Sequence, residues 1–324
     1  MSELRFGRAV NRALMDAMTA DERVIVLGED IASAGGSFGV TRGLLDAFGP
    51  LRVRDTPISE ASIVAAAVGA AMSGLKPVVE IMFMDFVAIA MDALVNQAAK
   101  ARFMFGGQGS VPMVLRTPHG GGVSAGPQHS QCLEAWFAHV PGLKVLCPAT
   151  AVDAYGLLRS AIDDPDPVIF VENKAMYARK EDAPDDLAAV PIGRARTARE
   201  GRDATIVTYG ATVATALSAA ETLSGEGVEA EVIDLRSLQP WDEEAVLASL
   251  SRTHRLVVLH EAVEAFGVGA EIAARMADVG FDELDGPIAR VGAPFMPVPF
   301  AKALEDAYRP NKERVVAAVR HVLA

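Results

Sequence analysis

What most constrains the fold of this chain is a rhythm. Short apolar runs of strand length alternate with longer helical patterns along the first 180 residues. The strand-like runs lie at 24–27, 77–83, 111–116, 143–146 and 168–171, and helical patterns at 61–75, 86–101 and 151–162 fall between them. Strands that alternate with helices of crossover length read as βαβ units, so the pattern predicts a mostly parallel, doubly wound α/β sheet. The rhythm breaks at 180–190 (KEDAPDDLAAV), an acidic stretch with a proline that reads as a surface linker. It then restarts, with strands expected at 204–209, 230–235 and 255–259 and helices at 212–223, 243–250, 269–276 and 314–323. The expectation is two doubly wound α/β domains, 1–185 and 191–324. A chain of 324 residues that is 51% hydrophobic can bury a core in each.

Composition narrows the function classes. Thirty Lys and Arg against 42 Asp and Glu give a formal charge of -12, with no basic run, which argues against nucleic acid and anionic membranes as partners. The first 21 residues read as an amphipathic helix with Phe6, Val10, Leu14 and Met18 on one stripe, not as a signal peptide. The most apolar run, 61–75, is too short to span a bilayer and is broken by Ser62, Gly69 and Ser73. It is expected as a helix buried on all sides. Cys132 and Cys147 form no CxxC pair and read as reduced core residues of a cytoplasmic protein. No fixed-period repeat is present.

Two segments carry candidate chemistry. In Thr56-Pro57-Ile58-Ser59-Glu60, a short strand at 52–55 is stopped by Pro57 and an apolar helix follows, so Glu60 stands at the mouth of that helix. An acid in a first turn is ordinarily a dipole partner. The helix behind this one has no polar face, so its start is expected to be buried, and a buried carboxyl has a raised pKa and can share a proton. The second segment runs from Pro118 to Gln131, a glycine-rich loop after a strand that ends in His129-Ser130-Gln131. Loops at the carboxyl ends of parallel strands are where open sheets bind ligands. His129 alone would read as a structural histidine. The loop also imitates a hydrolase: Gly122-Val123-Ser124-Ala125-Gly126 fits GxSxG, and His119-Gly120-Gly121-Gly122 fits an oxyanion motif. In a hydrolase these lie on separate loops and a helix follows the serine. Here they overlap, and Gly126-Pro127 follows, which argues against that reading. Gly28-Glu29-Asp30 reads as a strand end and turn near a ligand, since GxGxxG is not met. His139, His254, His260 and His321 show no metal-ligand spacing.

Taken in order along nearly the whole chain, the segments resemble the beta subunits of thiamine-diphosphate-dependent 2-oxo acid dehydrogenase first components, the family of pyruvate, branched-chain 2-oxo acid and acetoin dehydrogenases. The matching stretches are Gly28-Glu29-Asp30, residues 55–60, Gln128-His129-Ser130-Gln131, residues 141–145, residues 164–168, Val171-Glu172-Asn173-Lys174, residues 232–238 and Pro297-Val298-Pro299-Phe300. The resemblance implies a pyrimidine-binding, transketolase-like domain followed by a transketolase C-terminal-like domain. It implies oxidative decarboxylation of a 2-oxo acid, or acetoin cleavage, with acyl transfer to lipoamide. Glu60 would share a proton with N1′ of the coenzyme's aminopyrimidine. Phe86 would pack on that ring, or else be a core phenylalanine. His129 would donate a proton or stabilise charge as the acyl group passes to a lipoyl disulfide.

The family's diphosphate motif begins Gly-Asp-Gly, and none occurs here. The resemblance therefore implies thiamine diphosphate shared with an alpha subunit that holds Mg2+ and the diphosphate, an α2β2 heterotetramer and a lipoyl acyltransferase core as further partner. Some members bind potassium at positions matching Met113, Ala161, Ile162, Asp164 and Asp166, mostly through backbone carbonyls that a plain turn would also present. Two other functions stay open: one subunit of a split transketolase-like enzyme, and a non-catalytic subunit that bridges alpha chains to an acyltransferase core. The sequence does not name the substrate.

Overall fold

The alternation is realised as two parallel sheets, each flanked by helices, in a computed structural model that describes residues 2–324. The chain divides into two units, Met1–His119 with Trp136–Ile192 and Gly120–Ala135 with Gly193–Ala324. The glycine-rich segment before α6 (Glu134–Ala138, where the chain returns to the first unit) thus belongs with the second unit.

The first unit carries strands β1 (Ser2–Arg5), β2 (Val24–Gly28), β3 (Val53–Asp55), β4 (Lys76–Glu80), β5 (Val114–His119), β6 (Lys144–Leu146), β7 (Val168–Asn173) and β8 (Lys180–Ala183). Its helices include α1 (Phe6–Ala20), α2 (Leu44–Phe48), α3 (Glu60–Met72), α4 (Met84–Val87), α5 (Ala99–Met104) and α7 (Ala151–Asp163). Strands run parallel in the order β6-β7-β5-β4-β2-β3. From β2 the chain moves outward to β3, then returns to β2's other side as β4. That reversal opens a crevice outside the carboxyl ends of β2 and β4, the place where open α/β sheets bind ligands.

Four expectations need correction. The first helix begins at Phe6, because Ser2–Arg5 forms a strand antiparallel to Lys180–Ala183, which had read as linker. The stripe of Phe6, Val10, Leu14 and Met18 is buried as expected. The helix expected at 86–101 is a longer run that changes pitch, from α4 through a 3-10 turn (Ala88–Ala90) and a π segment (Asp92–Ala98) into α5. π segments are rare and often accompany functional sites. Third, α3 is not buried on all sides: Ala61, Ser62, Ala65, Ala66, Gly69 and Met72 are exposed while Ile63, Val64, Ala67 and Ala71 are buried. An apolar helix with no polar face therefore presents one side outward. Fourth, Cys147 is buried, but Cys132 is only half-buried; neither forms a disulfide.

The second unit holds β9 (Arg196–Arg199), β10 (Ala204–Thr208), β11 (Ala230–Asp234), β12 (Ser237–Gln239), β13 (Leu256–Val263) and β14 (Ala289–Ala293). Its helices are α8 (Thr212–Ser224), α9 (Glu243–Thr253), α10 (Val268–Val279), α11 (Lys302–Tyr308) and α12 (Lys312–Leu323). Four parallel strands run β14-β13-β10-β11, with β9 antiparallel at the edge. Ile206, Val232, Val257 and Leu259 pack against Ala216, Ala220, Leu223, Val315 and Val319 to form its core. Among the described residues no helix is long and apolar enough to cross a membrane.

Candidate active site

Two carboxyl groups meet at the crevice of the first unit. β2 ends at Gly28, where a Cβ would lie 2.6 Å from the Glu80 carbonyl oxygen, so only glycine lets the ends of β2 and β4 come this close. Glu29 follows, and the chain turns at Asp30 with φ of 55°. Asp55, at the end of β3, secures this turn by accepting the Ala32 N–H (2.7 Å) and the Ser33 hydroxyl (2.8 Å). Burial works against the Asp55 charge, but these hydrogen bonds hold its carboxyl below the ordinary range. The next strand exit leads through Pro57 and Ser59 into α3, whose first residue is Glu60.

Glu29 and Glu60 are each only 6% exposed. Burial, and then the neighbouring Glu60 charge, push the Glu29 carboxyl up; the Ser59 N–H that it accepts opposes the shift. Glu29 Oε1 and Thr56 Oγ1 are buried with no hydrogen-bond partner among the described residues. Buried polar atoms in folded proteins are nearly always partnered, so this crevice is short of donor or acceptor groups. A ligand that brings both, and that shares a proton with a carboxylate, would complete it. An aminopyrimidine is such a ligand, and the residues fit it.

The raised Glu29 pKa has a consequence for stability. An acid whose folded pKa lies above its unfolded value adds most to stability below the unfolded value, and that contribution is lost as pH rises through the folded one. Glu29→Gln keeps an acceptor for the Ser59 N–H and removes the charge. It is expected to raise the melting temperature at neutral pH, the gain vanishing toward about pH 4, near the ordinary glutamate pKa. Thermal melts of both proteins across that range check it.

Phe86, on α4, is half-buried rather than enclosed. Its ring meets Phe83 edge-on at 5.8 Å, and Phe83 meets Phe38 edge-on at 5.9 Å. The buried Lys174 ammonium lies 5.7 Å from the Phe83 ring centre. The same unit contains a fully buried ion network. Arg116 Nη1 donates to Glu80 (2.7 Å), its Nη2 donates to Glu172 (2.8 Å) and its Nε lies 2.8 Å from the other Glu172 oxygen. Tyr177 donates its hydroxyl to Glu172 at 2.7 Å.

His129 lies on the segment that belongs to the second unit, whereas Glu60 and Phe86 belong to the first. His129 is half-buried, and its backbone N–H donates to the Gly126 carbonyl at 3.4 Å. The hydrolase reading fails as expected, because no helix follows Ser124 before Glu134 and the strand–turn–helix of a nucleophile elbow is absent. The potassium positions are neighbours in the first unit. Met113 and Ala161 carbonyls accept the N–H groups of Val168 (3.0 Å) and Asp164 (3.3 Å). Ile162 is buried at the end of α7. Lys144 already sits on Asp164 (2.6 Å) and Arg102 on Asp166, so charge alone does not call for a further cation.

Glu29 is the residue that sequence reasoning passed over. Its signal was present in Gly28-Glu29-Asp30 at a strand end, but the strand order that makes this end the switch point is not written locally.

Residues 2–180 match the family described as "Transketolase, pyrimidine binding domain", and residues 193–315 match "Transketolase, C-terminal domain". The chain is 46% identical to the beta subunit of acetoin:2,6-dichlorophenolindophenol oxidoreductase from Bacillus subtilis, covering 97% of this chain and 96% of that protein. It is 45% identical to a mitochondrial pyruvate dehydrogenase E1 component subunit beta-2 from Oryza sativa, over 98% of this chain and 86% of the relative. Among solved structures, a split gene transketolase described as an inactive beta4 tetramer superposes with a TM-score of 0.82 at 25% identity, covering 99% of this chain and 98% of that one.

Proposed function

From the premise that the chain belongs to the beta subunits of the thiamine-diphosphate-dependent 2-oxo acid and acetoin dehydrogenases, we propose that it supplies the pyrimidine half of a coenzyme site completed by an alpha subunit. The observation that carries this is the buried Glu29–Glu60 pair, with orphaned polar atoms beside it, at the start of a helix whose apolar side is exposed. When bound, thiamine diphosphate supplies the electron sink for cleaving the bond next to a carbonyl.

In this reading Glu60 holds a proton on the pyrimidine N1′, and Glu29 keeps that proton from being lost by making a second negative charge in the crevice unfavourable. Phe86 offers an apolar face to the ring. His129 donates a proton, or steadies charge, as the acyl group leaves for a lipoyl disulfide. The alpha subunit holds Mg2+ and the diphosphate, since this chain has no Gly-Asp-Gly.

Exposed apolar side chains support a chain that works in an assembly. In the first unit Ile58, Met72, Phe103 and Met104 are more than half exposed, and so are Phe266, Phe295 and Phe300 in the second. A subunit that covered the outer side of α3 would stand next to Glu60, and this exposure supports the reading of a coenzyme at an αβ seam of an α2β2 heterotetramer.

The test is co-purification with an alpha subunit, followed by assay with thiamine diphosphate and Mg2+ against pyruvate, branched-chain 2-oxo acids and acetoin. Acyl transfer to a lipoyl domain, or dye reduction, from at least one of them is the expected result. Ketol transfer without lipoyl acylation, or no turnover in a folded complex, overturns the proposal.

A further inference from the structure

We propose that Glu261 and Glu305 are positioning residues for His129, acting as two fixed hydrogen-bond acceptors for the backbone of the loop that carries it. This rests on the proposed role of His129 and deepens it.

The loop has an unusual alternation. Gly120 (φ 83°), Gly122 (97°), Ser124 (56°) and Gly126 (74°) are left-handed, and each residue between them is not. Such a backbone makes no strand or helix ladder of its own, so its N–H groups need partners from elsewhere. Two carboxylates from distant parts of the same unit supply them for Gly121 and Ser124. Glu261, on β13, accepts the Gly121 N–H at 2.7 Å, and Glu305, on α11, accepts the Ser124 N–H at 3.0 Å. Both glutamates are buried, at 6% and 1% exposure.

Arg309 ties the two supports together. Its Nε donates to the Glu261 oxygen that Gly121 also uses, at 3.0 Å. Burial opposes the Arg309 charge, but Glu261 and Glu305 keep the guanidinium above its ordinary pKa. Past Ser124, the Phe300 ring lies so close to Gly126 that a Cβ there would sit 2.2 Å from it. The Gly126 carbonyl then accepts the backbone N–H of His129.

Ser124 is the telling residue. A serine in a left-handed conformation is strained, and such strain persists only where the surroundings over-determine it. Here the N–H of the strained residue is the one that Glu305 holds. A loop that only connected two elements would have no need of buried carboxylates from β13 and α11. A loop that must deliver one imidazole at a fixed angle does, because misplacing a reacting group by about 1 Å can cost on the order of 100-fold in rate.

The experiment compares Glu305→Ala, Glu305→Gln and His129→Ala in the complex reconstituted with its alpha subunit. Two reactions are measured side by side: acylation of a lipoyl domain, and reduction of 2,6-dichlorophenolindophenol, which needs no lipoyl disulfide. Loss of folded enzyme lowers both equally. Glu305→Ala is expected to lower the ratio of the first to the second by roughly 10- to 100-fold, in the same direction as His129→Ala. Glu305→Gln, which keeps an acceptor for the Ser124 N–H, is expected to restore most of the ratio.

A second readout is the rate at which diethyl pyrocarbonate modifies His129, relative to the exposed His321, followed by peptide mass spectrometry. It is expected to change several-fold in Glu305→Ala. A His129→Ala split with no Glu305→Ala split overturns the positioning role. If His129→Ala itself shows no split, the role proposed for His129 falls. The positioning claim is then decided by the modification rate, and an unchanged rate overturns it.

Discussion

Glu60→Gln is expected to lower turnover of the reconstituted enzyme by about 10²- to 10⁴-fold, the range that a positioned general acid–base group contributes. The substitution is nearly isosteric. It keeps a side-chain oxygen at the first position of α3 and removes only the ionisable proton and the charge. The substitution should therefore leave coenzyme affinity much less affected than turnover. It should also release Glu29: the Glu60 charge is one of the two influences that raise the Glu29 pKa most, after burial. In the variant the stability gain from Glu29→Gln at neutral pH should accordingly shrink. Steady-state turnover with the preferred substrate, coenzyme titration and thermal melts of the four combinations measure all three effects. Full turnover in Glu60→Gln would remove the carboxyl from the chemistry. Equal losses of affinity and turnover would make Glu60 a binding residue alone.

How far the residues foretold this arrangement depends on whether the signal was local. Although parallel β14, with sequence ARVGA, was missed, most of the parallel strands were legible because strands covered on two faces are runs of Val, Ile and Leu, as at Val24–Gly28, Val168–Asn173 and Leu256–Val263. β1 and β8 were not. SELR and KEDA are charged, they pair only with each other, and neither carries an apolar period. β9, with sequence RTAR, is an antiparallel edge and was missed for the same reason. Glu60 was legible because Pro57 and the helix start fix its place along the chain, whereas Glu29 needed the strand order. The exposed side of α3 misled because composition reports how apolar a helix is, not which chain covers it. The supports of His129 lie more than 130 residues beyond it, on Glu261 and Glu305, and no spacing links them to Gly121 and Ser124.

The ion network at Arg116 was hidden in the same way. Arg116 reads as the polar end of an apolar strand, and its partners Glu80 and Glu172 lie 36 and 56 residues away. Losing Arg116 should destabilise the fold far more than losing the charge of Glu29 or Glu60. Arg116 is 1% exposed, Glu80 4% and Glu172 0%. Arg116→Met leaves two carboxylates and the Tyr177 hydroxyl without their cation, in a site closed to water. Removing one partner of a buried pair costs about 3–5 kcal/mol, because the remaining charge stays desolvated. For a unit of this size that corresponds to a fall in melting temperature of roughly 6–20 °C.

The loss should ease as pH falls. Burial already pushes the Glu172 carboxyl up even with Arg116 in place to hold it down, and without the arginine that carboxyl is expected to take up a proton more readily. Replacing all three, as Glu80→Leu, Arg116→Met and Glu172→Leu together, should recover much of the stability, since a packed apolar core can stand in for a whole buried ion network. Melts of wild type, single and triple variants across the acid range separate the cases. A triple variant no more stable than Arg116→Met would mean that the network's shape, and not its charge balance, is what the fold requires.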